Sequence, residues 1–174
     1  MSGTNKYFTG INSDKIVRIK KIVLILVKIR RMFSKACEYG IRAVVYIARQ
    51  SDDNRRTSLK QVAAKVDSPE AYTAKILQQL VRHNIIDSVK GATGGFEIRP
   101  ERMAAIKLID IVLAIDNGVF DGCVLGLQAC SEKKPCPVHH KYKSIKLELK
   151  TMLHQTTLLE MSRGVNNKLT HLKY

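Results

Sequence analysis

Hydrophobic residues recur at helical spacing along most of the chain after residue 33 and predict a mainly helical fold. The first predicted helix starts near Phe33 and ends near Asp52, and its apolar face consists of Ala36, Tyr39, Ala43, Tyr46 and Ile47. Ser58 and Gln61 have the spacing of a capping box, which indicates the start of a second helix. The core face of that second helix consists of Val62, Ala63 and Val66.

The stretch 68–99 combines a third helix with a β-hairpin. Ser68, Pro69 and Glu70 predict a helix start, with Ser68 as the N-cap and Pro69 at the first helical position. The apolar face then consists of Tyr72, Ile76, Leu77 and Leu80, and the opposite, polar face carries Thr73, Lys75, Gln78, Gln79 and Arg82. Two short runs, 85–90 and 96–99, surround the glycine-rich segment 91–95 and predict the hairpin.

A loop and three more helices are predicted downstream of the hairpin. Residues 106–115 are strongly apolar and predict a fourth helix that ends at residues 116–118. Residues 118–136 are rich in glycine and cysteine and lack periodicity, which predicts a loop. A long helix follows Pro137, with an apolar stripe that consists of Tyr142, Ile145, Leu149 and Met152. Thr157 and Glu160 have the spacing of a second capping box and predict a short final helix.

These elements predict a mainly α fold with a small β-hairpin wing: a winged helix-turn-helix over residues 32–117, a cysteine-rich loop over 118–136, and a dimerisation helix with a C-terminal tail over 137–174. Such a domain holds a DNA duplex with its third helix in the major groove and its wing on the backbone or minor groove. Because the long helix has too narrow a stripe for a monomer core, we expect a homodimer on a palindromic site. In the alternative, this helix packs on its own domain.

The charge balance indicates a polyanionic partner. The chain has 30 basic and 15 acidic residues, a formal net charge of +15, which favours nucleic acid or an anionic membrane surface. Without residues 1–31, 22 basic and 14 acidic residues remain. The apolar run 22–27 is far shorter than the roughly 20 residues of a membrane span, although its basic neighbours also suit an interfacial anchor. We expect no membrane association and interpret residues 1–31 as a disordered or non-native extension upstream of a natural start at Met32.

Several polar and basic side chains are candidates for DNA contact. We expect Ser68 and the adjacent backbone to hold a phosphate at the start of the third helix. The other candidates are Tyr72, Thr73 and Lys75 near the major groove, Lys90 and Thr93 at the wing, and Lys60 and Gln61 against the DNA backbone. The alternative for each of these residues is an ordinary solvated surface.

Three of the four cysteines lie within fourteen residues and predict a metal or redox site. Cys123, Cys130 and Cys136 have six and then five residues between them, whereas structural zinc usually takes pairs two to four residues apart. Iron–sulfur clusters accept looser spacing, and Lys133 and Lys134 would offset the negative charge of a ligated cluster. The alternative is that the three thiols are incidental.

Three thiolates leave one coordination position of a cluster to another ligand. His139 stands three residues after Cys136 and is a candidate, although a single His at a helix start is more often solvated. Cys37 lies on the apolar first helix and is expected to be a buried small hydrophobic residue. Free thiols without a cleavable secretory signal indicate a reducing, cytoplasmic compartment.

Four segments carry a family resemblance: Glu38-Tyr39-Gly40-Ile41-Arg42-Ala43, the helix of residues 68–80, Lys90-Gly91-Ala92-Thr93-Gly94-Gly95-Phe96, and the three-cysteine loop ending Pro135-Cys136-Pro137-Val138-His139. Together they resemble the Rrf-two family of bacterial winged-helix transcriptional regulators, which includes iron–sulfur and nitric-oxide sensors. The resemblance runs from about residue 32 to residue 153. It implies a DNA-binding homodimer with one iron–sulfur cluster per subunit, held by the loop cysteines close to the DNA-binding unit of the partner chain.

The resemblance implies two candidates for the fourth cluster ligand. In some members a His three residues beyond the last cysteine serves, which corresponds to His139, and we favour this residue. In others an acidic residue near the start of the partner subunit's first helix serves, and the matching position is Glu38. The first gap between cysteines is six residues where members with the His ligand have five, so both 2Fe–2S and 4Fe–4S clusters stay open.

The leading hypothesis is a dimeric transcriptional regulator whose promoter binding depends on an iron–sulfur cluster, and hence on iron–sulfur, redox or nitric oxide status. The second is a winged-helix regulator or protein-interaction module that uses thiols or a structural metal. As an interaction module the protein would be colourless, and its DNA binding would lack a steep salt dependence. The third, an iron–sulfur enzyme, has no support from an acid–base pair, phosphate loop or nucleophile constellation, so we expect no enzymatic activity.

Overall fold

Six helices and one hairpin are present in a computed structural model that describes residues 33–127, 130–166 and 172. The elements are α1 (Lys35–Asp52), α2 (Leu59–Val66), α3 (Glu70–Arg82), β1 (Asp87–Val89), β2 (Gly95–Glu97), a 3-10 turn (Pro100–Arg102), α4 (Leu108–Ile115), α5 (His139–Gln155) and α6 (Leu158–Asn166). The mainly helical fold with a hairpin is confirmed. Expectations for residues 1–31 and the proposed start at Met32 lie outside the described residues, among which no helix is long and apolar enough to cross a bilayer.

The capping box predicted at α2 is confirmed. The Gln61 amide donates to the Ser58 hydroxyl at 3.3 Å, and the Ser58 amide donates to the Gln61 side-chain oxygen at 2.8 Å. This exchange satisfies two amide groups that otherwise lack partners at a helix start. The start of α1 is capped in a similar way, because the Cys37 amide donates to the Ser34 hydroxyl at 3.1 Å.

The start of α3 differs from the prediction, because Ser68 is not its N-cap. The helix begins at Glu70, Pro69 holds the N-cap position, and no side-chain cap bond is found there in the described part of the chain. Asp67 is left-handed, with φ of 55°, and the Ser68 amide donates to the Ala63 carbonyl at 3.1 Å. Ser68 is therefore part of the turn that ends α2, and its buried hydroxyl has no hydrogen-bond partner among the described residues.

The wing forms where the glycine-rich segment predicts it and is fastened to the α1–α2 loop. β1 and β2 are antiparallel, with Asp87 opposite Glu97. The Thr57 amide donates to the Phe96 carbonyl at 3.0 Å, and the Phe96 amide donates to the Thr57 carbonyl at 2.9 Å. Gly95 has φ of 146°, and a Cβ there would lie 2.9 Å from the Thr57 carbonyl oxygen. Close approach of the two backbones therefore requires glycine at this position.

Two hydrophobic clusters hold the elements together. Fully buried members of the larger cluster, which joins α1 to α4 with the base of the wing and α6, include Ile47, Leu77, Leu80, Ile98 and Leu158. The smaller cluster packs α1, α4, α5 and the first part of the cysteine loop together and consists of Cys37, Ile109, Val112, Phe120 and Leu153. Burying one large aliphatic side chain contributes about 1.5–3 kcal/mol, so the larger cluster dominates the stability.

The segment between α4 and α5 is a loop, as predicted. Residues 116–127 and 130–138 contain turns but neither helix nor strand. The final helix α6 follows Thr157, whose hydroxyl accepts a hydrogen bond from the Glu160 amide at 3.0 Å. The Leu158 amide donates to the Ile106 carbonyl at 2.9 Å, which joins the start of α6 to the segment before α4.

Only part of the apolar surface of helix α5 is buried within the chain. Leu153 is fully buried and Leu149 is half-buried, whereas Ile145 and Met152 are 57% and 47% exposed. One side of the helix therefore packs on its own domain, whereas part of the predicted apolar stripe lies outside this contact. An exposed apolar strip of this kind is typical of a helix that pairs with another chain.

Candidate functional site

Most predicted DNA-contact residues are exposed on α2, α3 and the wing. The exposed candidates are Lys60, Gln61, Tyr72, Lys75, Lys90 and Thr93. The buried face of α3 consists of Thr73, Ile76, Leu77 and Leu80. A helix that buries one face and exposes lysine and glutamine on the other has the form of a recognition helix in a helix-turn-helix protein.

Thr73 lies on the buried face of α3 and not on the polar face where the sequence placed it. Its side chain is 1% exposed, and its hydroxyl donates to the Pro69 carbonyl at 3.1 Å. Thr73 precedes Ile76, Leu77 and Leu80 by three, four and seven positions, which are the spacings of one helical face. Tyr72 precedes the same residues by four, five and eight positions and fits that face less well. That spacing was the missed signal, since a threonine can bury its methyl group and satisfy its hydroxyl on the preceding turn.

Tyr72 stands at the edge of α3 and joins it to basic residues of α1. Its ring packs edge-on against Tyr39, with 6.0 Å between centroids. The Arg42 guanidinium lies 4.8 Å from the Tyr39 ring centre, and the Lys35 ammonium lies 5.3 Å from it. Sequence reasoning missed Arg42 as a candidate, although it follows Tyr39 by three residues on one helical face. Both cations lie at the Tyr39 ring, and Lys35 also pairs with Glu38 at 2.9 Å.

A second basic group borders the wing and was also missed. An open cavity of about 710 Å³ is lined by Arg55, Arg56 and Arg99 together with the wing residues Thr93 and Gly94. Each arginine has an acidic partner, at 2.5 Å for Arg55–Asp53, 2.7 Å for Arg56–Glu97 and 3.5 Å for Arg99–Asp87. The consecutive arginines at 55 and 56 were the available signal. Because these pairs are at the surface, their carboxylates hold the arginines only weakly.

Cys37 is a buried small hydrophobic residue, as predicted. It is 0% exposed within the smaller cluster. Burial raises the pKa of its thiol to about 12, and the negative charges of Asp116 and Glu38 add to the effect. A thiol with so high a pKa stays protonated at neutral pH and is a poor metal ligand or nucleophile.

Cys123 and Cys136 are neighbours in the cysteine loop. The pKa of the Cys123 thiol is lowered, chiefly by the Leu125 backbone amide. The Cys136 thiol, the Leu127 amide and the charge of Lys146 act in the same direction. Backbone amides that point at a sulfur stabilise the thiolate, which is the form that binds metal.

Cys130 and His139 form a second pair. The Cys130 sulfur lies 3.5 Å from His139 Nδ1. His139 is the first residue of α5 and is 3% exposed, so the alternative of a solvated histidine does not hold. Its Nε2 atom is buried and has no hydrogen-bond partner within the described residues. A buried imidazole nitrogen normally has a partner, so this nitrogen is suited to an additional ligand.

The donors fit an iron–sulfur cluster in kind, but they form two pairs and not one closed set. The three loop cysteines are free thiols. No group of three or more His, Cys, Asp or Glu side chains is placed to hold a metal ion in the described ranges. Glu38, the other candidate ligand, forms an ion pair with Lys35 at 2.9 Å in the first turn of α1. Thiolates with one imidazole suit iron–sulfur clusters, and gathering the two pairs requires movement of the loop.

An open cavity of about 510 Å³ separates the loop from α5. Cys130, Glu132 and His139 line it, together with Lys143, Lys146 and Lys150. Asp121 also lines the cavity, so three lysines face two carboxylates and the lining is net positive. A positive lining would offset the negative charge of a thiolate-ligated group.

A helix-turn-helix followed by a fastened hairpin defines the chain as a winged-helix protein, the class that reads DNA with the second helix of the helix-turn-helix pair, here α3. Residues 33–164 match the sequence model of the Rrf2 family, described as an iron-dependent transcriptional regulator. The chain belongs to this family, the Rrf-two family of the resemblance, and its members are transcriptional regulators that bind DNA.

Similar proteins and structures agree with this assignment. A provisionally named HTH-type transcriptional regulator of Aquifex aeolicus is 28% identical over 134 residues, covering 75% of this chain and 90% of that protein. The HTH-type transcriptional regulator IscR of Yersinia pestis is 23% identical, covering 79% and 80%. In fold, the chain is similar to CymR, the global cysteine regulator of B. subtilis, with a TM-score of 0.63, 22% identity and coverage of 75% and 95%. T. potens IscR gives a TM-score of 0.59, 20% identity and coverage of 80% and 91%.

Proposed function

We propose that this chain is a homodimeric transcriptional regulator whose promoter affinity is controlled by an iron–sulfur cluster. Cys123, Cys130 and Cys136 would supply three thiolates and His139 the fourth ligand, with the partner subunit's Glu38 as the alternative. The observation that carries the proposal is the buried, unpartnered Nε2 of His139 beside a free thiol. A polar atom that is costly to bury without a partner is explained if it binds an iron atom.

The exposed residues of α3 and the wing would contact a palindromic duplex. Lys75 on α3 would contact the major groove, and Lys90 on the wing would contact the adjacent backbone. Lys60 at the start of α2 suits a phosphate. Affinity that rests on these lysines falls as salt rises, with a slope of about −0.9 per phosphate neutralised.

Helix α5 connects the ligands to the proposed dimer contact. It begins at His139 and carries the exposed Ile145 and Met152 six and thirteen residues later. When bound, the cluster supplies chemistry that responds to iron supply, oxidants and nitric oxide. His139 and the proposed dimer contact belong to the same rigid helix. A change in the group that His139 binds would therefore shift the spacing of the two recognition helices. A coupling of about 1–3 kcal/mol changes DNA occupancy about 5–150-fold.

Anaerobic purification with an absorption spectrum and iron and sulfide assays tests the cluster. We expect a coloured wild type, loss or change of the spectrum in His139→Ala, and an unchanged spectrum in the neighbouring control His140→Ala. An unchanged spectrum in His139→Ala together with its loss in Glu38→Gln would assign the fourth ligand to the partner subunit's Glu38. A colourless, iron-free wild type would contradict the cluster.

A second candidate is a regulator that responds to oxidants directly through its thiols. The observation that favours it is the lowered pKa of the Cys123 thiol, to which the neighbouring Cys136 thiol contributes. It predicts a colourless protein whose DNA affinity changes on treatment with peroxide and returns with a thiol reductant.

A further inference from the structure

Three lysines of α5 reach across to the cysteine loop, residues 118–136. Lys143, Lys146 and Lys150 follow one another at intervals of three and four residues, which places them on one helical face. They all line the cavity that separates α5 from this loop. We call this set the lysine stripe.

Lys146 fixes the loop immediately before its first cysteine. Its ammonium donates to the Phe120 carbonyl at 2.7 Å and to the Gly122 carbonyl at 3.3 Å. Gly122 directly precedes Cys123, so this lysine sets the path of the backbone that delivers the Cys123 sulfur. The ammonium also lies 5.0 Å from the Tyr142 ring centre, which holds the lysine against α5.

The other two lysines secure the two sides of the loop. The Lys150 ammonium lies 4.8 Å from the Phe120 ring centre, and Phe120 itself is 8% exposed in the smaller hydrophobic cluster. On the far side, Lys143 donates a hydrogen bond to the carboxylate of Glu132, two residues after Cys130. The lysine stripe therefore contacts the loop both before Cys123 and between Cys130 and Cys136.

We propose that Lys146 is a positioning residue that latches the Cys123 end of the loop to α5, so that movement of the loop cysteines is transmitted to this helix. The inference rests on the proposed function for its regulatory meaning, because α5 is the proposed dimer helix. The latch itself is a property of the chain without any bound group. A charged donor that bridges two carbonyls two residues apart restrains that segment more tightly than a single neutral hydrogen bond.

Hydrogen–deuterium exchange on the full-length, cluster-free protein tests the latch. We expect Lys146→Met to speed amide exchange in residues 118–127 about tenfold, since those amides then open without breaking the two bonds. Lys146→Arg keeps a charged donor and should stay within about twofold of the wild type. The matched control is Lys141→Met, an exposed lysine of the same helix whose ammonium makes no contact in the described residues. Exchange in residues 70–97 should be unchanged in all three variants.

A second arm measures the ratio of DNA affinities with and without the cluster. We express the ratio as the larger affinity divided by the smaller one. Lys146→Met should reduce this ratio at least about threefold, and Lys146→Arg should restore the wild-type ratio. Wild-type exchange rates over residues 118–127 in Lys146→Met would overturn the latch, whatever the cluster does. A colourless wild type would contradict the proposed function. The hydrogen–deuterium exchange experiment on cluster-free protein would still show whether Lys146 holds the loop. If Lys146→Met does not fold, Lys146→Gln, which is too short to bridge both carbonyls, takes its place under the same criteria.

Discussion

The helix-turn-helix and the cysteine loop are stabilised by different kinds of contact. In α3, Leu77 and Leu80 are fully buried, and the wing is fastened by two backbone bonds to Thr57. In the loop, Leu125 and Leu127 are 55% and 53% exposed, and the contacts to α5 come mainly from lysine side chains. The first region is held by a buried apolar core, whereas the second exposes apolar side chains and relies mainly on polar contacts to α5.

This difference shows where a signal can act. A segment with few buried apolar contacts opens at low free-energy cost, so ligand binding can order or release it. The predicted recognition helix α3 has no such freedom, because it is part of the larger hydrophobic cluster. Under the proposed function, a signal would therefore change the placement of the two recognition helices and not their structure.

The largest expected effect separates Cys37 from Cys123. Cluster-free protein treated with iodoacetamide at pH 8 should be alkylated at Cys123 at least about a thousandfold faster than at Cys37. The physical reason is that burial raises the pKa of Cys37 to about 12, whereas the Leu125 amide lowers that of Cys123 below the ordinary thiol value of 9.0. Peptide mass spectrometry over time measures both rates. Equal rates in folded protein would contradict the different environments of the two thiols.

Truncation of leucines in the two regions should have unequal effects on stability. Leu80→Ala removes a fully buried side chain and should lower the free energy of unfolding by about 2–5 kcal/mol. Leu125→Ala in the exposed loop should change it by less than about 0.5 kcal/mol. Urea denaturation of the cluster-free protein measures both variants. A large loss in Leu125→Ala would show that the loop is packed as firmly as α3.

Gly95→Ala should loosen the wing. The substitution puts a Cβ against the Thr57 backbone at a φ of 146°, and we expect a loss of about 1–3 kcal/mol in the free energy of unfolding. DNA affinity should fall as well, because the wing no longer holds its place. Ser88→Ala, an exposed position on the neighbouring strand, is the control. Equal thermal midpoints for Gly95→Ala and Ser88→Ala would refute the close backbone approach.

The smallest expected effect distinguishes two residues that the sequence grouped as DNA contacts. Lys90→Ala should weaken DNA binding a few-fold and reduce the slope of log affinity against log salt by about 1. Thr73→Val should leave DNA affinity within about twofold, because the Thr73 side chain is buried. Fluorescence anisotropy over a salt series measures both. Loss of binding in Thr73→Val with an unchanged salt slope in Lys90→Ala would reverse the assignment.

Local signals predicted the elements well wherever neighbours in sequence decide the structure. The capping box at Ser58 and the glycines of the wing act within a few residues, so their spacing was sufficient. The positions of Ser68 and Thr73 were predicted wrongly because contacts with other parts of the fold determine them. The Ser68 amide is hydrogen-bonded in the turn that ends α2, and the Thr73 side chain is buried on the inner face of α3.

The arrangement of the candidate site was much less predictable. The spacing of the cysteines indicated a shared role, but it carried no information on which of them meet across an irregular loop. The pairing of Cys130 with His139 arises from the position where α5 begins, and the contacts of Lys146 arise from the packing of α5 on the loop. The fourth ligand involves a second subunit in one alternative, which single-chain patterns do not describe.

One measurement tests the central claim most directly: the affinity of the same anaerobic preparation for a selected duplex, before and after the iron is removed by a chelator. Anisotropy would use a duplex enriched from a random library by the coloured protein. We predict that affinity changes at least about fivefold as the colour is lost. The same affinity before and after complete removal of iron would contradict control of DNA binding by a cluster.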